Sequence, residues 1–240
     1  MLGMGTPPHS VRERLLDVAA RLFYAEGIRA VGVDRLIAET GVAKASLYAH
    51  FAGKDDLVAA YLTGVSDNWL ARVRRASEQR GANGADRALA PFDVLAAMAG
   101  SPGYRGCPFI NAAAEYPGPG PVADAVAAHR RRVRATFGAL LGGEDPPTAV
   151  ASDDTARSGT APSDTTPSAG RESVGTAQTE TAPADEELVG DLVVLLDGAL
   201  TAANLDGDPA AVTRASAVAA DVVRRRPATG PASRTASPAT

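Results

Sequence analysis

The sequence predicts an all-α fold, with an N-terminal three-helix helix-turn-helix head followed by a larger helical domain. Three observations carry this expectation. No stretch of alternating apolar and polar residues and no hairpin signal occurs along the chain. Segments repeat apolar residues at helical spacing between recognisable caps. Two short segments of this kind are separated only by "GVA", Gly41 to Ala43, a span suited to a helix-turn-helix turn.

Taken in order, residues 1–9 read as a flexible arm. Ser10 and Glu13 form a capping-box pattern, and "VRERLLDVAARLFYAEG" then places Leu15, Val18, Ala19, Leu22 and Phe23 on one helical face before Gly27 ends it. A second helix over about Val33–Thr40 should bury Leu36 and Ile37 and stop at Gly41. The third, "KASLYAHF", is too short to be stable alone and needs tertiary packing. A long helix from Lys54 to about Ser77 follows, with Leu57, Val58, Tyr61, Leu62, Val65, Trp69 and Val73 along one face.

Gly81 to Gly84 reads as a linker, Arg87–Ala99 as a helix, and "CPFINAAAEY" as a short helix ended by "PGPGP". An arginine-rich helix is expected over Val122–Leu141, with "HRRRVR" (His129 to Arg134) as a solvated face. Residues 143–185 are dominated by Ser, Thr, Pro, Ala and Asp, and are expected to be a disordered acidic insertion. Order should return at about Glu186. Leu188, Val189, Leu192, Val193, Leu195, Leu196 and Leu200 make the next helix apolar almost all round, more than one buried face needs. Asp208 and Pro209 supply a cap and a first-turn proline for a last helix to about Arg225, and 227–240 is a low-complexity tail. The expected units are therefore 10–62, 63–142 and 186–226.

Composition narrows the function classes. The formal charge of −4 is misleading, because ten acidic side chains against two arginines give Gly143–Glu187 a charge of −8 and leave +4 on the rest. A single cysteine, Cys107, allows no internal disulfide and suits a reducing compartment. The N-terminus has no apolar signal-peptide core, and the apolar runs read as too short to span a bilayer. The expectation is a cytoplasmic protein without a membrane partner.

The short third helix carries the functional reading. With about 100° per residue, Ala43, Leu47 and Phe51 fall on one side as an expected buried stripe. Ala45 and Ala49 lie opposite, flanked by Lys44 and Tyr48 on one shoulder and Ser46 and His50 on the other. Such a face suits a DNA major groove, where small residues approach the bases and donors reach phosphates.

The stretch "LLDVAARLFYAEGIRAVGVDRLIAETGVAKASLYAHFAGKDDLVAAYL" resembles the N-terminal domain of the tetracycline-repressor-like (TetR) family of transcriptional regulators, over about residues 11–62. "RLFYAEG", "AETGV", "K-x-S-L-Y-x-H-F" and "K-D-D-L" carry the likeness, and "RGCPFINAAAEYP" resembles a motif in the regulatory domain of one TetR subgroup. The resemblance implies a DNA-binding head, with Tyr48 and His50 bonding phosphates, Lys44 at the groove edge and Lys54 at a phosphate. It also implies a homodimer on a double-stranded DNA operator, a small-molecule effector of unknown identity, and a ligand-binding and dimerisation domain after the head. Three departures stand out. Gly32 sits where a capping Ser or Thr is usual, Ile37 where a small residue is usual, and Ala49 where a larger one is common. Base reading is thus expected to rest on Arg35, Lys44, Ala45, Ser46 and Ala49.

For the effector pocket, Trp69, Phe92, Cys107, Phe109, Asn111, Glu115 and His129 are the candidates. No cofactor or metal site is expected, and no enzymatic activity: Cys107 and His129 lack an evident third orienting group or oxyanion loop. Two alternatives are a constitutive DNA-binding module without effector, and a small-molecule-binding or thiol-dependent catalytic protein on the same fold.

Overall fold

The computed structural model describes residues 10–147 and 183–225, and these fold into helices with no strand among the described residues. The helices are α1 (Val11–Glu26), α2 (Val33–Thr40), α3 (Lys44–His50), α4 (Lys54–Gln79), α5 (Gly84–Arg87), α6 (Ala90–Ala99), α7 (Pro108–Glu115), α8 (Pro121–Leu141), α9 (Pro183–Leu205) and α10 (Ala210–Arg225). The expected arm (1–9), the tail (227–240) and most of the acidic insertion lie outside the described residues.

Local signals form as expected. The Ser10 hydroxyl accepts from Glu13 N–H while the Glu13 carboxylate accepts from Ser10 N–H, completing the capping box. Gly41 closes α2 in the left-handed conformation (φ 67°), which glycine adopts without the steric penalty of a Cβ. Asp208 Oδ1 accepts from Ala210 N–H at 2.9 Å, capping α10.

Two apolar cores form, and their division differs from the expected boundary at residue 62. One contains Leu15, Leu22 and Phe23 of α1, Leu36, Leu47, Phe51, and Leu57, Val58, Tyr61 and Leu62 of α4. It is completed by Phe109 and Ala112 of α7 and Val122 of α8, so the head is not packed alone. The second joins Val73 to α6, the later part of α8, α9 and α10. α4 thus passes from one core to the other, and its buried stripe turns accordingly. Ser66, Leu70 and Ser77 are buried, whereas Val65 and Trp69, expected in the stripe, are half-buried.

Other differences follow from close packing. Residues 81–83 form the expected linker, α5 begins at its last residue, Gly84, under an Asn83 cap, and the helix expected over Arg87–Ala99 is divided between α5 and α6. Gly84 presses onto the end of α8, where a Cβ would meet the Leu141 carbonyl oxygen at 2.6 Å. Buried Arg87 donates to Gly143 O at 2.7 Å and to Asp145 at 2.6 Å, which ties the first residues of the acidic segment to the body. The far end of that segment is helical from Pro183. "HRRRVR" is not a solvated face as a whole. His129 is buried, Arg130 pairs with Asp197 at 2.8 Å, and Arg132 pairs with Asp67 at 2.6 Å, leaving Arg131 and Arg134 exposed.

Glu186–Leu205 is, by length and composition, apolar enough to cross a bilayer, contrary to the expectation from shorter runs. In this fold Leu192, Val193 and Leu196 pack into the body core, while Val194 and Leu205 stand 69% and 75% exposed.

Candidate nucleic-acid interface and the cavity behind it

A seven-residue helix needs external support, and α3 receives it from its inner face. Val42, Leu47 and Phe51 are buried in the head core, with the Arg12 guanidinium 5.5 Å from the Phe51 ring centroid. Ala43 departs from the expected buried stripe: it is the exposed N-cap residue, and Val42 of the turn fills that place. Ile37 is likewise half-buried, packing on the edge of the core that Leu36 enters fully.

The outer face of α3 is open. Lys44, Ala45, Tyr48, Ala49 and His50 are exposed and Ser46 is half-buried, so the sequence-predicted set is brought together on one short helix. Tyr48, at 48% exposure, is a large ring with no core role. Lys44 pairs with Asp34 at 3.2 Å, and Arg35 pairs with Glu39 at 3.0 Å and Glu26 at 3.9 Å. Exposed pairs of this kind contribute about 0–1 kcal/mol, so either cation can exchange its partner for a phosphate at little cost.

Lys54 is different. Its Nζ donates to the Ile28 carbonyl at 2.6 Å and lies 6.0 Å from the Phe23 ring centroid. Burial pushes its pKa down, opposed by the nearby Glu115 carboxylate. Lys54, expected at a phosphate, here ties the α1–α2 loop to the start of α4 while staying half-exposed. Glu115, expected in the ligand pocket, fastens the same loop from the other side. Its carboxylate accepts from Ile28 N–H at 3.0 Å and Arg29 N–H at 2.5 Å. Tyr24 adds a third link by donating to Gly106 O at 3.2 Å and accepting from Arg105 N–H at 2.8 Å.

Behind the head, α1, α4, α6, α7, α8 and α9 enclose a cavity of about 730 Å³, within the range of small-molecule sites. Trp69, Cys107, Phe109 and His129 line it, as expected. Three candidates do not. Phe92 is in the body core, 6.2 Å from Phe137 between ring centroids, because its face of α6 points inward. Asn111 donates to Arg105 O, and Glu115 holds the loop, so both face the head side of α7. Sequence reasoning missed Arg72, Tyr104 and Asp197 on the cavity wall. Arg72 follows Trp69 by three positions on one helix face, and Asp197 is a charge within an apolar run. Both signals were legible.

Burial governs the titration of the wall. It pushes the Cys107 thiol up, the opposite of what an activated nucleophile needs. It also lowers His129 to about 4, with Arg132 and Arg130 adding to the effect, so the ring is neutral at pH 7. Among the described residues no group of three His, Cys, Asp or Glu side chains is placed to hold a metal ion.

The profile of bacterial regulatory proteins of the tetR family matches residues 15–61. Over the whole fold the chain is similar to a TetR-family transcriptional regulator of Streptomyces coelicolor. They share 35% identity over 90% of each chain, with a TM-score of 0.66. By sequence it is similar to the transcriptional repressor KstR2 of Mycobacterium tuberculosis, 39% identical over 66 residues, 28% of this chain and 33% of that protein. It is also similar to the transcriptional activator FasR of Mycolicibacterium smegmatis, 36% identical over 74 residues, 31% of this chain and 34% of that protein. The chain thus spans about a third of the length of these curated relatives.

Proposed function

This chain belongs to the TetR family of bacterial regulatory proteins, and we propose that it is a homodimeric, sequence-specific DNA-binding regulator, a repressor, released by a small molecule in the cavity. The single observation that carries the reading is the two-faced α3. Leu47 and Phe51 anchor it, and Lys44, Ala45, Tyr48, Ala49 and His50 stand out together. Laid into a major groove, the two alanines allow close approach to thymine methyls, Lys44, Ser46, Tyr48 and His50 reach phosphates from its shoulders, and Arg35 joins the reading of the bases.

Dimerisation is supported by the outer side of α9 and α10. Val194 and Leu205 of α9 and Val218 of α10 are exposed apolar side chains. Gly198 and Thr201 lie between the first two at helical spacing, so a second copy could approach closely there. Two-fold symmetry would set two α3 helices about 34–36 Å apart on a pseudo-palindrome.

The effector's route to the DNA follows from α7. Phe109, Ile110 and Ala113 line the cavity on one side of this helix, while Glu115 at its end holds the α1–α2 loop. A ligand that shifts α7 or tilts α4 changes where the heads sit, and it lowers DNA affinity only to the extent that it prefers the shifted state. The test is footprinting of the full chain on its own upstream DNA with determination of stoichiometry. A protected pseudo-palindrome holding one dimer is expected. Binding as a monomer, or without preference for any sequence, would refute the reading.

A further inference from the structure

Behind one wall of the cavity a polar cluster holds the lining residue His129. Arg132 donates to Asp67 Oδ1 at 2.6 Å and to Ser66 Oγ at 3.0 Å, and Ser66 Oγ lies 3.0 Å from His129 Nδ1. Arginine can only donate, so Ser66 Oγ accepts there. Among the described residues no other acceptor is paired with that hydroxyl, so its proton goes to His129 Nδ1. A neutral imidazole accepting at Nδ1 carries its own proton on Nε2. The ring is fixed by stacking on Phe109, with centroids 3.6 Å apart, and by the edge of Trp69 at 5.7 Å.

His129 is 9% exposed and lines the cavity. Its Nε2 has no protein partner among the described residues, yet it is not sealed: the only buried side-chain polar atom without a partner among them is Arg74 Nε. The Nε2–H therefore opens into the cavity as an unused donor. Four charged side chains line the cavity, Asp17, Arg72, Arg130 and Asp197. Arg130 is compensated by Asp197, and Asp17 has an interaction of its own. Arg72 forms no ion pair among the described residues and lies three positions from Trp69 on α4. The rest of the lining is dominated by Leu, Val, Met and aromatic side chains.

We infer that the cavity takes an apolar small molecule ending in a carboxylate, whose oxygens are received by the His129 Nε2–H and the Arg72 guanidinium. The inference rests on the reading of this cavity as the effector site. His129 and Arg72 can only donate to a ligand, whereas the Tyr61 hydroxyl and the Asn68 amide on the same lining can take either role, so the group between the first two must be an acceptor. A carboxylate suits both, because Arg72 forms no ion pair among the described residues and hydrogen bonds to a charged acceptor are the stronger kind. An ammonium-bearing ligand would meet Arg72 as a like charge and His129 as a second donor.

Trp69 is the sole tryptophan of the chain, so its emission reports the cavity directly. The full chain is titrated with decanoate, methyl decanoate and decylamine, which share a body and differ in the head group. Decanoate should saturate at one per chain and bind at least tenfold more tightly than decylamine, with the ester between them. Arg72→Gln should weaken decanoate about tenfold and leave methyl decanoate unchanged. His129→Phe should weaken both, and His129→Gln, which keeps a donor, should restore part of the loss. Melting temperatures separate these effects from misfolding. Equal binding of decylamine and decanoate, no saturable signal, or indifference of decanoate to Arg72→Gln would overturn the proposal. DNA binding of the same samples without probe distinguishes that outcome from failure of the regulatory reading itself.

Discussion

The contact between cavity and head is concentrated enough to be tested at one residue. In Glu115→Ala, the amides of Ile28 and Arg29 lose their carboxylate acceptor, and Lys54 loses the favourable charge beside it. Hydrogen bonds to a charged acceptor are worth about 1.5–3 kcal/mol each. Arg29 is exposed, so water replaces part of its bond, and the two bonds share one carboxylate and are not additive. A loss of about 2 kcal/mol in the local stability of the α1–α2 loop is the resulting magnitude, or roughly a 30-fold rise in opening. Amide hydrogen exchange resolved at Ile28 and Arg29 measures it, with Leu192 in the body core as an internal reference. Exchange should rise about 30-fold at the two loop amides and stay unchanged at Leu192. Unchanged exchange at Ile28 and Arg29 would refute the claim that Glu115 holds the loop, and with it the proposed path from α7 to the head.

Three further outcomes follow from the same geometry. Leu47→Ala removes a fully buried side chain from the only anchor face of α3, and should cost about 2–5 kcal/mol in urea unfolding; a loss below 1 kcal/mol would mean that α3 is not held by this contact. Tyr48→Ala with His50→Ala, both exposed, should change stability by no more than about 0.5 kcal/mol while weakening DNA binding, as read by thermal melts beside gel shifts. His129 gives a pH dependence. Its folded pKa of about 4 lies below the ordinary histidine value of about 6.5, so the unfolded chain binds the extra proton first as pH falls. Stability should therefore decline from about pH 6.5 towards pH 4, by up to roughly 3 kcal/mol, and this part of the slope should vanish in His129→Phe. A slope identical in both proteins would contradict the buried neutral ring.

What was legible in the sequence was what depends on neighbours along the chain. The capping box at Ser10, the αL glycine at 41 and the inward Leu47 and Phe51 are set by local spacing, and each forms as the pattern implies. The exposed face of α3 follows from the same periodicity. The bond from Lys54 to the Ile28 carbonyl was not legible, because that carbonyl lies in a loop whose approach depends on tertiary packing. Glu115 reaches back 87 positions to Ile28, beyond any helical periodicity. Trp69 and Val65 looked like core because the stripe of α4 was read as one face, whereas the helix serves two cores and a cavity between them. The "HRRRVR" tract shows the same limit: its charges are partly internal because Asp67 and Asp197 arrive from α4 and α9.

Phosphate contacts from the open face of α3, Lys44 among them, make a quantitative demand on operator binding. The most direct measurement is the salt dependence of operator binding for the unaltered chain, Lys44→Ala and Lys54→Ala. Each phosphate neutralised contributes about 0.9 to the slope of log affinity against log salt, so loss of Lys44 from both chains of a dimer should flatten it by about 1.8. Lys54→Ala should lower the melting temperature and leave the slope unchanged. A slope that Lys44→Ala leaves intact and Lys54→Ala reduces would contradict the account.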